Sequence, residues 1–342
     1  MSEPIGADAL IRAAALRLAA GGLVAFPTET VYGLGADAEN PAALAAMYAA
    51  KGRPADHPVI VHLAQDIDPG YWAALVPIEA RRLMEAFWPG PLTLILPRAS
   101  HIPAVVSGGQ DSIGLRCPDH PVAQALLSEF AALKPHGCGG VGGPSANKFG
   151  QVSPTRADHV RREFADMGSQ APMVLEGGDT VIGIESTILD LSRLGSGVGP
   201  VLLRPGHIKA TQIAEVLGVM PTQPDRAAPR VSGSLKAHYA PRTPMCLVDR
   251  EDLSKGGLLA TSGRVAAIVL GAPPAAETVS APDRVDWVQV PDDPEAFAHR
   301  LYALLRELDA GAYALIALER PPRSPAWQAV NDRIDRAAAA FR

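Results

Sequence analysis

Short apolar runs recur through the first part of the chain, at residues 23–26 (LVAF), 59–63 (VIVHL), 92–96 (LTLIL) and 173–175 (MVL). Runs this short and this continuous, bounded by Gly or Pro, read as strands buried on both faces. Between them, residues 7–20, 41–50, 77–87, 119–130 and 155–165 read as helices, several opening with Pro or a capping Asp, Asn, Ser or Thr. After residue 244 the alternation resumes on a smaller scale. Strands are predicted at 245–248, 265–270, 285–290 and 313–318, with a helix that lines up Phe297, Leu301, Leu304, Leu305 and Leu308 and a second helix over 324–340. Both parts therefore read as α/β. Residues 219–244 hold five Pro and little apolar periodicity, which predicts a linker and divides the chain into 1–218, 219–244 and 245–342.

The chain is 342 residues long, enough for two domains with cores of their own. Composition narrows the class of protein. With 47% hydrophobic and 20% charged residues the chain is too apolar for disorder. Its 31 Lys+Arg against 36 Asp+Glu leave a formal charge of −5, which argues against bulk electrostatic capture of nucleic acid. Cys117, Cys138 and Cys246 are odd in number and widely spaced, so neither a disulfide framework nor a structural zinc is expected. Met1-Ser2-Glu3-Pro4 lacks a basic leader and no run is long and apolar enough to span a membrane, so a cytoplasmic protein is expected.

Several polar segments interrupt this pattern. Pro27-Thr28-Glu29-Thr30-Val31-Tyr32-Gly33-Leu34-Gly35 packs hydroxyls, a carboxylate and two glycines behind the first strand, a composition that suits a loop around a small ligand as well as a polar turn into the next element. Lys51-Gly52-Arg53-Pro54 closes a helix, where cations serve either as dipole partners or as a pair converging on a polyphosphate. Residues 137–142, GCGGVG, match G-x-G-x-x-G, yet neither a buried strand before them nor a helix after them is evident. A close-packed glycine strand presenting Ser145 and Asn147 is the better reading. His62 in an apolar strand, Arg116 in IGLRCP, Glu185-Ser186-Thr187 and Arg204 in LLRPG each read as structural or as ligands when taken singly. No Ser/His/Asp triad, metal-protease motif or carboxylate pair emerges. What accumulates is donors, hence a site that holds anions and works by positioning and charge stabilisation.

Taken together, PTETVYGLGADA, KGRP, VIVHL, WPGPLTLIL, IGLRCPDHP, PSANKFGQVSPT, ESTILDL and LLRPGHI stand in an order and spacing that resembles the L-threonylcarbamoyladenylate synthase family over nearly all of residues 7–215. The later His238-Tyr239-Ala240-Pro241 and the second lobe are similar to its longer, two-domain form. The resemblance implies a YrdC-type twisted mixed α/β sheet domain followed by a smaller Rossmann-like α/β domain. It also implies a reaction: L-threonine, bicarbonate and ATP become threonylcarbamoyl-AMP, diphosphate and water, for modification of adenosine 37 in tRNA.

By that resemblance Thr30, His62, Arg116, Gly143 and Ser186 bind threonine, while Arg53, His57, Ser112, Ser145, Asn147, Ser153, Arg204 and Tyr239 bind ATP. Lys51 and Arg53 are the expected catalytic cations. His57 departs from the Asn that many members carry there, and the 137–143 stretch is richer in Gly than the family pattern. Mg2+ is the implied cofactor, held mainly by ATP phosphates and water and by no protein metal site. The product would pass to a tRNA threonylcarbamoyl transferase complex, with no membrane and no stable nucleic-acid binding by this chain. Two other readings stand beside this one: a carbamoyl-adenylate-forming module, disfavoured by the absent zinc-finger-like cysteines, and an RNA-binding module, disfavoured by the charge. His238 and Tyr239, two rings in a Pro-rich tether, are expected to make the linker a lid that shields a hydrolysable anhydride.

Overall fold

In the computed structural model, residues 6–254, 263–273 and 284–342 are described. Contacts divide the chain into two compact units, one of Met1–Phe149 with Pro154–Ser234 and the other of Gly150–Ser153 with Leu235–Arg342. The first carries helices α1 (Ala7–Ala19), α2 (Pro41–Lys51), α3 (Ile78–Phe87), α4 (Pro121–Ala132), α5 (Ala157–Glu163) and α6 (Ala210–Leu217). Its strands are β1 (Val24–Phe26), β2 (Gly33–Asp37), β3 (Ile60–His62), β4 (Leu92–Pro97), β5 (Ser112–Arg116), β6 (Val141–Gly142), β7 (Met173–Val174), β8 (Thr187–Asp190) and β9 (Val201–Arg204). Local chemistry explains the helix boundaries. At α2, for example, the Asn40 side chain accepts from the amides of Ala42 (3.0 Å) and Ala43 (3.2 Å), Pro41 opens the first turn, and Gly52 closes the helix at φ 62°.

One mixed sheet joins these strands in the order β7-β1-β2-β6-β3-β5-β4-β8-β9. β3 and β5 run parallel, with His62 opposite Arg116, and β4 runs parallel to β8. The predicted apolar runs supply β1, β3, β4 and β7, but β2 and β6 come from stretches with no such run. The reason is size: β2 is buried throughout yet reads GLGAD, so its burial leaves almost no hydrophobic signal. The 137–142 match is indeed no dinucleotide loop, since it contributes β6 between β2 and β3 and no helix follows it. Close approach accounts for its composition. A Cβ on Gly140 would lie 2.6 Å from both Trp72 Cζ2 and Val61 Cγ1, a distance that real side chains do not tolerate.

Residues 219–244 do not form a single tether. Thr222 bridges to Val201, the Asp225 carboxylate meets Arg193 at 2.9 Å, and Arg230 pairs with Asp56 at 3.2 Å, so the stretch as far as Ser234 belongs to the first unit. Val231 is buried in a cluster with Ile60, Ile95 and Ile188, which are core positions of β3, β4 and β8.

In the second unit β10 (Met245–Val248), β11 (Val265–Leu270), β12 (Val285–Val290) and β13 (Leu315–Glu319) form an all-parallel sheet ordered β10-β13-β11-β12. Helices α7 (Arg250–Ser254), α8 (Pro294–Asp309) and α9 (Gln328–Ala338) accompany it. Asp293 caps α8 by accepting from the Ala296 amide at 2.8 Å, and the helix buries the expected face of Phe297, Leu301, Leu304, Leu305 and Leu308. No described helix is long and apolar enough to cross a membrane.

Candidate active site

Two neighbouring strands and one loop build the first group of side chains. β3 ends in His62 and β5 ends in Arg116, so their register brings an imidazole and a guanidinium side by side. Burial, reinforced by the Arg116 charge, pushes His62 down to a pKa of about 3, which leaves the ring neutral. The Phe26 ring meets it edge-on at 5.6 Å. Gly143 lies against the same imidazole: a Cβ there would sit 2.9 Å from His62 Nδ1, so only glycine leaves that wall of the site open. From the other side the loop after β1 contributes Glu29, whose carboxylate pairs with an Arg116 Nη at 2.7 Å, with both side chains about 95% buried. Arg116 Nε donates to the Gly90 carbonyl at 3.3 Å.

That loop is internally braced. Thr28 Oγ1 accepts from the amides of Thr30 and Val31, both at 3.2 Å, and donates to the Val31 carbonyl at 2.6 Å. Its proton thus committed, the 2.8 Å contact between the two hydroxyls has Thr30 as donor. The amides of Ile182 and Gly183 donate to the carbonyls of Glu29 and Thr30, fixing the loop from outside.

A second group lies on and around β8 and β9. Arg204, at the end of β9, donates through Nε to the Ser186 carbonyl (3.0 Å), through Nη2 to the Ser186 hydroxyl (3.1 Å) and through Nη1 to the Ser232 carbonyl (3.0 Å). Ser186 Oγ also lies 2.8 Å from Thr93 Oγ1. Arg53 donates to the Pro58 carbonyl (2.9 Å) and to Ser232 Oγ (3.2 Å), while its guanidinium lies 5.6 Å from the centre of the Phe149 ring. Ser232 is therefore the point on which both arginines converge. Ser112 and Ser232 line a shallow open cleft with Pro58, Ile60, Gln110, Gly114 and Ile188. His57 packs edge-on against Phe149 at 5.3 Å, and burial followed by the Arg53 charge lowers its pKa.

Lys51 is buried at the end of α2, and its ammonium donates to the carbonyls of Ser145 and Asn147. Asn147 in turn donates to the Lys148 carbonyl at 2.7 Å. In this arrangement Lys51 holds the 145–147 turn in shape. Ser153 and Tyr239 fall in the second unit. There the Tyr239 ring lies 5.7 Å from that of Tyr302 and 5.4 Å from the Arg333 guanidinium.

Comparison with known proteins identifies the family. Residues 17–206 match the Sua5/YciO/YrdC family, described as telomere recombination, and residues 208–339 match the threonylcarbamoyl-AMP synthase C-terminal domain. The chain belongs to the threonylcarbamoyl-AMP synthase family. It is 40% identical to the threonylcarbamoyl-AMP synthase of Pyrococcus abyssi over 246 residues, which is 70% of this chain and 68% of that protein. Identity to the Bacillus subtilis threonylcarbamoyl-AMP synthase is also 40%, over 247 residues, 71% of this chain and 67% of that one. The crystal structure of P. abyssi Sua5 complexed with L-threonine superposes with a TM-score of 0.82 at 33% identity, covering 99% of this chain and 96% of that one.

Within this threonylcarbamoyl-AMP synthase fold, several contributors had no separate signal in the sequence. Thr93 is a single hydroxyl in the run LTLIL, the carbonyls of Pro58 and Gly90 carry no side-chain mark, and Ser232 sits in a Pro-rich stretch that reads as spacer. Glu29 was visible as a carboxylate in a polar loop, but only its contact with Arg116 gives it a place in the site.

Proposed function

We propose that this chain joins L-threonine, bicarbonate and ATP into threonylcarbamoyl-AMP, with release of diphosphate and water. The observation that supports this most is the adjacency of two unlike recognition groups on one sheet. The Arg116 guanidinium and the neutral His62 imidazole, with Thr30 in the loop that carries Glu29 to Arg116, offer an amino-acid-sized set of polar groups, while Arg53 and Arg204 bring two guanidinium groups together at Ser232. In this reading Arg116 grips the threonine carboxylate, and Gly143 and Ser186 shape the same pocket. Arg53 and Arg204 hold phosphates in the fork geometry that guanidinium provides. Ser112, Ser145, Asn147 and His57 surround the nucleotide.

The carbamate of threonine, once formed in the site, is already anionic, so its oxygen attacks the α-phosphorus in line without a strong protein base at that step. The protein's task is to bring two anions together and neutralise the departing diphosphate. In this reading Mg2+ enters with ATP, held mainly by its phosphates and by water. When bound, it adds charge neutralisation on the phosphate oxygens. The product would be consumed by a transferase that moves the threonylcarbamoyl group to tRNA.

The test is diphosphate release from the full chain. It is expected only when L-threonine, bicarbonate, ATP and Mg2+ are all present, with threonylcarbamoyl-AMP detected by mass spectrometry. Equal diphosphate release in the absence of threonine refutes the reading. Serine should serve less well than threonine but not be excluded, because one methyl group in a pocket is worth about 1 to 3 kcal/mol.

A further inference from the structure

We propose that Glu29 is a catalytic residue of this site: it receives the ammonium group of threonine and takes its proton as the carbamate forms. The inference rests on the function proposed above and assigns one step of it to a residue. A carboxylate buried to 4% exposure is costly unless its oxygens are engaged. Oε1 of Glu29 is ion-paired with an Arg116 Nη at 2.7 Å, but neither Oε1 nor Oε2 accepts a hydrogen bond although both are inaccessible to solvent. A ligand that supplies N–H donors resolves that debt. An amino acid supplies them next to a carboxylate, and the Glu29–Arg116 pair presents the complementary charges in the same order, 2.7 Å apart.

The neighbouring groups leave the role to Glu29. His62 is held neutral, so it offers no negative charge to draw an ammonium. Thr28 and Thr30 have their hydroxyl protons directed into the loop itself. The brace on that loop, from Thr28 within and from the Ile182 and Gly183 amides outside, keeps the Glu29 backbone in place while the side chain exchanges partners.

The step balances without another reagent. An N–H bond of the ammonium breaks and its proton passes to a Glu29 oxygen, leaving the amine lone pair free. That pair forms a C–N bond to the carbon of bicarbonate, and a C–O bond breaks. The leaving hydroxide takes the second N–H proton and departs as water. The products are the carbamate anion, water and protonated Glu29, which returns its proton to solvent before the next turnover.

The experiment compares the full-length wild type with Glu29→Gln and Glu29→Asp. Calorimetric titration uses two probes: L-threonine, and (2S,3R)-2,3-dihydroxybutanoate, in which a hydroxyl replaces the ammonium. Wild type should favour threonine by roughly 10- to 100-fold, the range of one charge-assisted contact. Glu29→Gln should erase most of that preference while Glu29→Asp, which keeps the charge, retains part of it. Diphosphate release at saturating threonine should fall by about 100-fold or more in Glu29→Gln, with half-saturating ATP unchanged. If Glu29 merely orients Arg116, both probes weaken together and their ratio stays at the wild-type value, which overturns the inference. A wild type that binds both probes equally also overturns it, even where Glu29→Gln fails to fold. Wild type that binds threonine selectively but releases no diphosphate refutes the function and leaves the recognition by Glu29 standing.

Discussion

Arg116, Arg53 and Arg204 are all buried, yet each is committed differently, and that difference predicts a division of labour. Arg116 faces Glu29 and His62, so Arg116→Ala should weaken threonine binding by roughly 10- to 100-fold and leave ATP binding nearly unchanged. Arg53→Ala and Arg204→Ala should do the reverse, because both converge on Ser232 beside the cleft. Replacement by Lys should recover little, since a point charge does not reproduce two parallel N–H donors. Separate calorimetric titrations of the two substrates check this, and an Arg116→Ala protein with wild-type threonine affinity refutes it. His62 gives a second prediction at this scale. Its folded pKa of about 3 lies below the unfolded value near 6.5, so the unfolded chain binds the extra proton as pH falls. The stability that depends on a neutral ring is therefore complete above about pH 6.5 and is lost toward pH 3, with a slope approaching ~1.4 kcal/mol per pH unit from this one group. Denaturant midpoints at pH 7.5, 6 and 5 should fall more steeply for wild type than for His62→Gln, and parallel curves would exclude His62 as the source.

The strands and turns show what the sequence conveys about elements and where it falls silent. Four apolar runs mark β1, β3, β4 and β7; the first three fill their buried positions largely with branched or aromatic side chains, whereas β7 is an edge strand that is only partly buried. β2 is equally buried but built from GLGAD, and β6 is two residues in a glycine stretch, so their burial depends on neighbours the sequence does not place beside them. The same limit applies to the site. The motifs pick out Thr30, His62, Arg116 and Ser186 as candidates, whereas the convergence of two arginines on Ser232 is a matter of tertiary structure alone. Glycine at 140 is a case where packing, once seen, yields a number. Gly140→Ala forces a methyl group against Trp72, Val61 and Leu63, and should destabilise the protein by about 1 to 3 kcal/mol, the usual range for overpacking. A thermal melt of the variant within 1 °C of wild type would contradict this account of the glycine stretch.

For the whole molecule, the boundary between the compact units at Ser234 and Leu235 decides where the chain can be cut. A chain ending at Ser234 keeps Val231 against Ile60, Ile95 and Ile188 and keeps Ser232 on both arginines. Ending it at Pro224 removes them, at a cost of roughly 1.5 to 3 kcal/mol from the Val231 side chain alone. Urea unfolding should therefore show a higher midpoint for the 1–234 chain than for the 1–224 chain, and equal midpoints would mean that the Val231 segment adds nothing to the first unit. The wiring of that unit has a consequence for its birth on the ribosome. β1, made early, takes its outer partner from β7, and Arg53 waits for Ser232, 179 positions later. Contacts so remote in sequence cannot form until nearly all of the unit has been synthesised, which leaves β1 without its outer partner in the meantime. Stalled nascent chains that expose residues 1–170 should be digested rapidly by protease, whereas those exposing residues 1–234 should resist.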